Sequence, residues 1–465
     1  MATTEGDQTR QILKARDDRA PLVLERDESW SEEEQVYRAA DGSSSSWLEG
    51  VIRPEGLRSR VEPWLSALFQ SDHLALLVGS GLTTALHTLA TDTAPGGMEK
   101  VSFKSHAEQI EAEVLRTAGI LGRGEGNVED QVRVANALLR GLSILATTDD
   151  SFGAPRDELA AELETVLTGL AESVLAAERG LRSADGEKAE RAFNYLVSFL
   201  MSFASRTGTR DRLHIFSTNY DRVIEAGADL AGIHLLDRFV GSLTPILRAS
   251  RLDVDMHYNP PGIRGEPRYL EGVARFTKLH GSVDWIDAGR VVRRMAVPLG
   301  ASDIAPYLSG HEAGAVGGSL MIYPNAAKDQ ETTEFPYVEL FRDFAAAVCR
   351  PNSTLVTYGY GFGDEHINRV IEDMLTIPST HLVIISYSDP LGRITQIYDR
   401  VGRPAQVSLL VGDHFGELTS LVDYYLPKPG IDRTTFRMAD LLKSRWSSTT
   451  AVGDVPPVDE EASET

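Results

Sequence analysis

Seven short apolar runs rich in Val, Ile and Leu punctuate the chain: LALLV (74–78), LHIFS (213–217), FTKLH (276–280), LMIY (320–323), STLVTYGY (353–360), HLVIIS (381–386) and QVSLLV (406–411). Their hydrophobicity is continuous rather than alternating, so both faces of each run are covered, the pattern of a parallel sheet flanked by helices. Several runs end in glycine or small polar residues followed at once by a helical pattern, as in GYGFGDEHINRVIEDML (359–375). This succession of strand, loop and helix predicts an α/β fold with a doubly wound, Rossmann-like parallel sheet. Its ligand crevice is expected at the carboxyl ends of the strands.

The first two runs are separated by about 130 residues, too many for one crossover helix. Within the gap Leu159, Leu163, Val166, Leu170 and Val174 recur at helical spacing, as do Leu196, Phe199, Leu200 and Phe203, with charged residues opposite. Residues 100–208 therefore read as a large helical insertion, packed beside the sheet or offering an oligomerisation or partner surface. Residues 1–46 are charged and end in DGSSSS, which predicts a flexible N-terminal arm before a folded body at 47–430. Residues 431–465 are expected to form a C-terminal helix and a disordered acidic tail, because SSTTAVGDVPPVDEEASET (447–465) cannot offset its ordering entropy.

Composition narrows the classes. A chain of 465 residues allows about three domains, or one large α/β domain with insertions, and 42% hydrophobic with 25% charged residues marks a globular protein. Against 46 Lys and Arg stand 68 Asp and Glu, a net charge of −22. That is the wrong sign for phosphate backbones or anionic lipid, so neither direct nucleic-acid binding nor membrane binding is expected. The single cysteine, Cys349, permits no internal disulfide and no cysteine-built zinc site, and suits a reducing cytoplasm. The longest apolar stretches fall short of the roughly 20 residues that cross a bilayer, and the N-terminus lacks the pattern of a secretory signal.

Four loops at four strand ends carry the candidate chemistry. In LALLVGSGLTTALHTLA (74–90), Gly79 and Gly81 follow a strand and a helix begins at once; glycine allows close backbone approach, and the free N–H groups of a helix start favour a phosphate. The loop is neither a full G-x-G-x-x-G fingerprint nor a Walker loop, and a glycine turn that only joins strand to helix reads equally well. LHIFSTNYDRVIEAG (213–227) leaves its strand through Thr218, Asn219 and Asp221, which suit a helix cap or a polar clamp. FTKLHGSVDW (276–285) ends a strand at His280, a structural histidine or a base. GYGFGDEHIN (359–368) offers Gly359, Tyr360, Gly361 and Asp364, a helix start or a ligand cradle. In a parallel sheet the four converge on one crevice, and together they describe a nucleotide-dependent active site.

As a set these loops resemble the sirtuin (Sir2) family of NAD-dependent deacylases and NAD hydrolases. VGSGLT (78–83) is similar to its glycine-rich first loop, STNYD (217–221) to its TQNID element, KLHGS (278–282) to its histidine-glycine element, and GYGFGD (359–364) to its late glycine loop. The resemblance runs from about 70 to 415. Three departures stand out: no four-cysteine zinc ribbon, a helix where the family's cofactor loop continues, and Thr218 in place of glutamine. With the insertion, they look like the sirtuin-like NAD hydrolases of bacterial antiphage defence, in particular the subunit paired with a HerA-type hexameric ATPase.

That resemblance implies hydrolysis of NAD, taken as substrate without a metal, to nicotinamide and ADP-ribose. Asn219 would orient the ribose and the attacking water, His280 would accept a proton, and Asp221 would hold the carboxamide. Gly79, Ser80, Gly81, Thr83 and Thr218 would contact the dinucleotide, with Gly359 to Asp364 closing over its adenosine side. A homo-oligomer and the ATPase partner are further expectations. The rival readings are an NAD-dependent deacylase, a non-catalytic subunit that senses NAD or ADP-ribose, and a Rossmann dehydrogenase, whose fingerprint is incomplete here.

Overall fold

The computed structural model describes residues 10–428 except 28, 31–34, 97, 121–123, 206–209, 259–267, 271, 289–290, 309–319 and 323–334. Eleven strands form one sheet: β1 (Arg10–Lys14), β2 (Leu22–Arg26), β3 (Tyr37–Ala39), β4 (Val51–Ile52), β5 (His73–Val78), β6 (His214–Ser217), β7 (His234–Leu236), β8 (Val273–Lys278), β9 (Ser353–Tyr358), β10 (His381–Ser386) and β11 (Val407–Val411). Their order is β4-β3-β2-β1-β11-β10-β9-β5-β6-β8-β7. From β11 through β7 every pairing is parallel, whereas β1 to β4 add on as an antiparallel ribbon. After β5 the chain builds outward through β6, then returns to lay β9 on the other side of β5. The strand order therefore reverses between β5 and β9, and an open α/β sheet has its crevice at that switch point.

The continuous apolar runs are explained by cover on both faces. On one face α1 (Pro54–Leu68), α2 (Ser80–Thr91), α6 (Gly186–Ala204) and α7 (Val223–Ala231) bury Leu76, Val78 and Ile215. On the other, α8 (Tyr337–Val348), α9 (Glu365–Leu375) and α10 (Arg393–Val401) bury Ala75, Leu77 and Phe216. At about 1.5–3 kcal/mol for each large apolar side chain taken from water, these two layers dominate the stability of the sheet.

The residues between β5 and β6 divide in two. Helices α3 (Ala107–Ile120), α4 (Val128–Leu145) and α5 (Gly153–Ser183) share a separate core with Val283, Ile286, Val297 and Ile304. By contrast α6 belongs to the sheet's own core, through Leu196, Phe199, Leu200 and Phe203.

Two expectations from the sequence are corrected. The described residues of 10–46 are not a flexible arm. β1 pairs with β11, Leu13, Leu22 and Leu24 are buried, and Ser43 in the serine run accepts a hydrogen bond from the Val23 amide at 2.9 Å. The charge that suggested an arm is accommodated inside: Lys14 is 1% exposed, its Nζ donating to the Val407 carbonyl at 2.9 Å. LMIY is not part of the parallel sheet either. Leu320–Ile322 joins a smaller antiparallel sheet beside Gly281–Asp287, the strand that follows His280. Residues 431–465, with the expected helix and tail, lie outside the described residues, as do residues 1–9.

Candidate functional site

The loops after β5 and β9 meet backbone to backbone. A Cβ on Gly79 would come within 2.4 Å of the Gly359 carbonyl oxygen, and one on Gly81 within 2.5 Å of the Gly359 Cα. Gly359 has φ +61°, in the left-handed region, and its carbonyl accepts from the Gly81 amide at 3.1 Å. The glycines of both loops thus serve first to let two turns of the protein touch. The contact fixes the start of α2, where Ser80 borders the crevice.

Beside this junction is a cavity of about 640 Å³ whose wall includes Ser80, Thr83, Thr218, Asn219, Asp221, His280, Tyr360, Gly361 and Asp364. Asn219, buried after β6, donates through Nδ2 to the Gly79 carbonyl and to Thr83 Oγ1, each at 3.0 Å. Thr83 in turn donates to Asp221 Oδ2 at 2.7 Å, and Asp221 Oδ1 accepts from the Val223 amide at 3.1 Å. Burial pushes the Asp221 carboxyl above its ordinary pKa, opposed by the Lys278 charge and the Thr83 bond. Thr218 is held at the rim by a 3.4 Å bond to the Val78 carbonyl.

His280, after β8, pairs through Nε2 with Asp364 Oδ2 at 2.8 Å. The other Asp364 oxygen caps α9, accepting from the His366 amide at 3.0 Å. One carboxylate therefore starts a helix and holds an imidazole, which puts Asp364 on the His280 side of the crevice. The loop carrying it is braced by Tyr360, whose hydroxyl donates to Asn368 Oδ1 at 3.1 Å, and by Asn368, which donates to the Phe362 carbonyl at 3.0 Å. Tyr360 lines the cavity, but its hydroxyl is engaged in that brace.

Several contributors were not visible in the sequence. Lys278 is 2% exposed, and its Nζ reaches the carbonyl of Asp221, Glu225 Oε1 at 3.1 Å and Ser282 Oγ at 2.9 Å, clamping the loop that bears Asn219. Burial, with Asp284 nearby, pushes Glu225 up to about 7 despite that lysine. Arg222 is gripped by Glu178 of α5, with its amide 2.9 Å from Oε1. Tyr220 donates its hydroxyl to Glu129 of α4 at 2.9 Å, and Asn127, Glu129 and Ser173 join the cavity wall. The helical insertion is therefore part of the site.

Arg393, at the start of α10, lines this cavity and a second one of about 890 Å³. Ser80 and Gly361 are also shared, while Ser386 at the end of β10, Asp389 beyond it, Asp413 after β11 and Tyr37 of β3 bound only the second. Among the described residues no group of three or more His, Cys, Asp or Glu is placed to hold a metal ion, and no helix is long and apolar enough to cross a membrane.

A glycine-packed switch point, an asparagine anchored to it and an imidazole–carboxylate pair meet where an open α/β sheet binds its ligands. Residues 213–400 match the family model of the SIR2-like domain, which supports Sir2-family membership and an NAD-related activity. A comparison with curated proteins finds no match.

Proposed function

We propose that the protein hydrolyses the nicotinamide–ribose bond of NAD, giving nicotinamide and ADP-ribose. The observation that carries this reading is that Asn219 and His280, from different strands, wall one cavity at the switch point, with His280 already bonded to Asp364. In the reaction the C1′–N bond breaks, nicotinamide leaves as a neutral molecule with the bonding pair, and water adds to C1′ while losing a proton. His280 takes that proton. With Nε2–H on the Asp364 carboxylate, Nδ1 keeps its lone pair and the tautomer is held. Asn219 orients the ribose and the water. Asp221, held by Thr83 and the Val223 amide, accepts from the carboxamide N–H.

The electrostatics agree with the substrate. Glu99, Glu129, Asp221 and Asp364 border the reaction cavity, an environment for the cationic nicotinamide ring and then for the oxocarbenium-like transition state. Where the two cavities join, the N-terminus of α2 and Arg393 face the region suited to the pyrophosphate, and the second cavity takes the adenosine half. Incubation with NAD followed by chromatography of nicotinamide and ADP-ribose is the test. Activity that persists in both Asn219→Ala and His280→Ala would refute the assignment; release that depends on an acylated peptide would make the protein a deacylase. Binding of NAD without product, with and without a partner, would make it a sensor.

The proposed setting is NAD depletion in antiphage defence, in a homo-oligomer beside a HerA-type ATPase. Its support is the motif resemblance of the four loops. Co-expression with such an ATPase and size-exclusion chromatography test it: co-elution sustains the pairing and separate elution removes it.

A further inference from the structure

At the amino ends of β5, β6 and β8, against the last turns of α8, lies a different cavity of about 370 Å³, bounded by His73, Asp211, Arg212, His214, Arg275 and Arg350, with Asp343 also on its wall. Two of these charges are spent on neighbours. Arg212 donates to Asp255 at 2.8 Å and to the Met256 carbonyl at 2.7 Å, and Asp343 is held by the Arg238 fork, with Nε at 2.7 Å. Two cations, Arg275 and Arg350, then face one carboxylate, Asp211, leaving one positive charge in excess in a chain of net charge −22.

The excess sits on Arg275. Asp211 is drawn to Arg350 at 2.9 Å and to His73 at 3.1 Å, while its ion pair with Arg275 is stretched to 4.0 Å. Arg275 Nε is buried without a hydrogen-bond partner. His214 reports the same field: burial first, then the Arg275 charge, hold its pKa down to about 3. A guanidinium with one unmet donor and a stretched ion pair, on the wall of a cavity, is an arrangement that a planar or tetrahedral oxyanion completes. The volume lies within the range of small-ligand pockets.

We propose that this cavity binds the phosphate or carboxylate group of a small metabolite through Arg275 and Arg350. It is separate from the NAD crevice: six residues of β5 at about 3.3 Å each put roughly 20 Å between them. The same strands join the two, because β5, β6 and β8 begin at His73, His214 and Val273 and run on to Gly79, Asn219 and His280.

The test is titration of inorganic phosphate and, in parallel, citrate into the full chain at constant ionic strength, read by calorimetry. Saturable binding of either that Arg275→Met weakens sustains the proposal and names the source of the oxyanion. Arg275→Met should weaken it at least about tenfold, the loss expected of a charge-assisted pair. Arg350→Met, at a side chain 43% exposed and so safe for folding, should also weaken it, while Arg393→Met should not. No saturation with either anion at tens of millimolar overturns the proposal. So does binding that is lost in Arg393→Met and kept in Arg275→Met, since the anion would then sit in the crevice.

Discussion

At the carboxyl ends of β5, β6 and β8 stand Gly79, Asn219 and His280; near their amino ends stand His73, His214 and Arg275. The first group borders a cavity with four carboxyl groups, the second a cavity with three guanidiniums. The contrast follows from the direction of the chain. In a parallel sheet every returning helix starts at the carboxyl end, so its positive pole is there, and its negative pole is at the other end. Asp364 at the start of α9 and Glu129 in the first turn of α4 answer the first pole; Arg350, just past the end of α8, answers the second. Strand direction sorts acids from bases before any ligand is considered.

The comparison breaks most readily at the carboxyl end. Asn219→Ala or His280→Ala should lower nicotinamide release about a thousandfold, with the unfolding temperature little changed in His280→Ala, where the loss is that of a positioned acid–base group. Asp364→Asn comes next. Asparagine still caps α9, so the fold should stay intact, but the imidazole loses its charged partner; kcat should fall roughly tenfold to a hundredfold with KM nearly constant. A matching fall in stability would make Asp364 only a helix cap.

At the amino end, His214 gives a pH signature. Its folded pKa of about 3 lies below the ordinary value of about 6.5, so between them the unfolded chain binds a proton that the fold refuses. Stability is complete above pH 6.5 and falls as pH drops, by about 2 kcal/mol at pH 5. Denaturant unfolding at pH 7 and pH 5 should show that difference, reduced in His214→Asn. The smallest effect belongs to Arg393→Met, which should raise KM for NAD about tenfold and weaken ADP binding while sparing adenosine, which has no phosphate. Equal loss for both would mean that Arg393 only shapes the loop.

Much of the sheet was legible because buried parallel strands are written as unbroken apolar runs, and the loops after them as Gly-Ser-Gly, Asn and Asp, His-Gly, and Gly-Tyr-Gly. The N-terminal ribbon was not. RQILK and LVLER mix charge with Leu and Ile over five residues, and only pairing with β11 tells which side is buried. Arg393 is equally silent, an ordinary arginine of an amphipathic helix until two cavities are seen to meet beside it.

The amino-acid sequence alone determined that this chain forms an α/β sheet with polar loops at its strand ends, because burial on both faces and turn formation are local demands on residue type. The tertiary structure decided which loops touch. That Asp364 holds His280, that Gly81 makes room for Gly359 and that the insertion closes the cavity all follow from strand order and the reversal between β5 and β9, contacts between positions far apart in the chain that no local pattern encodes.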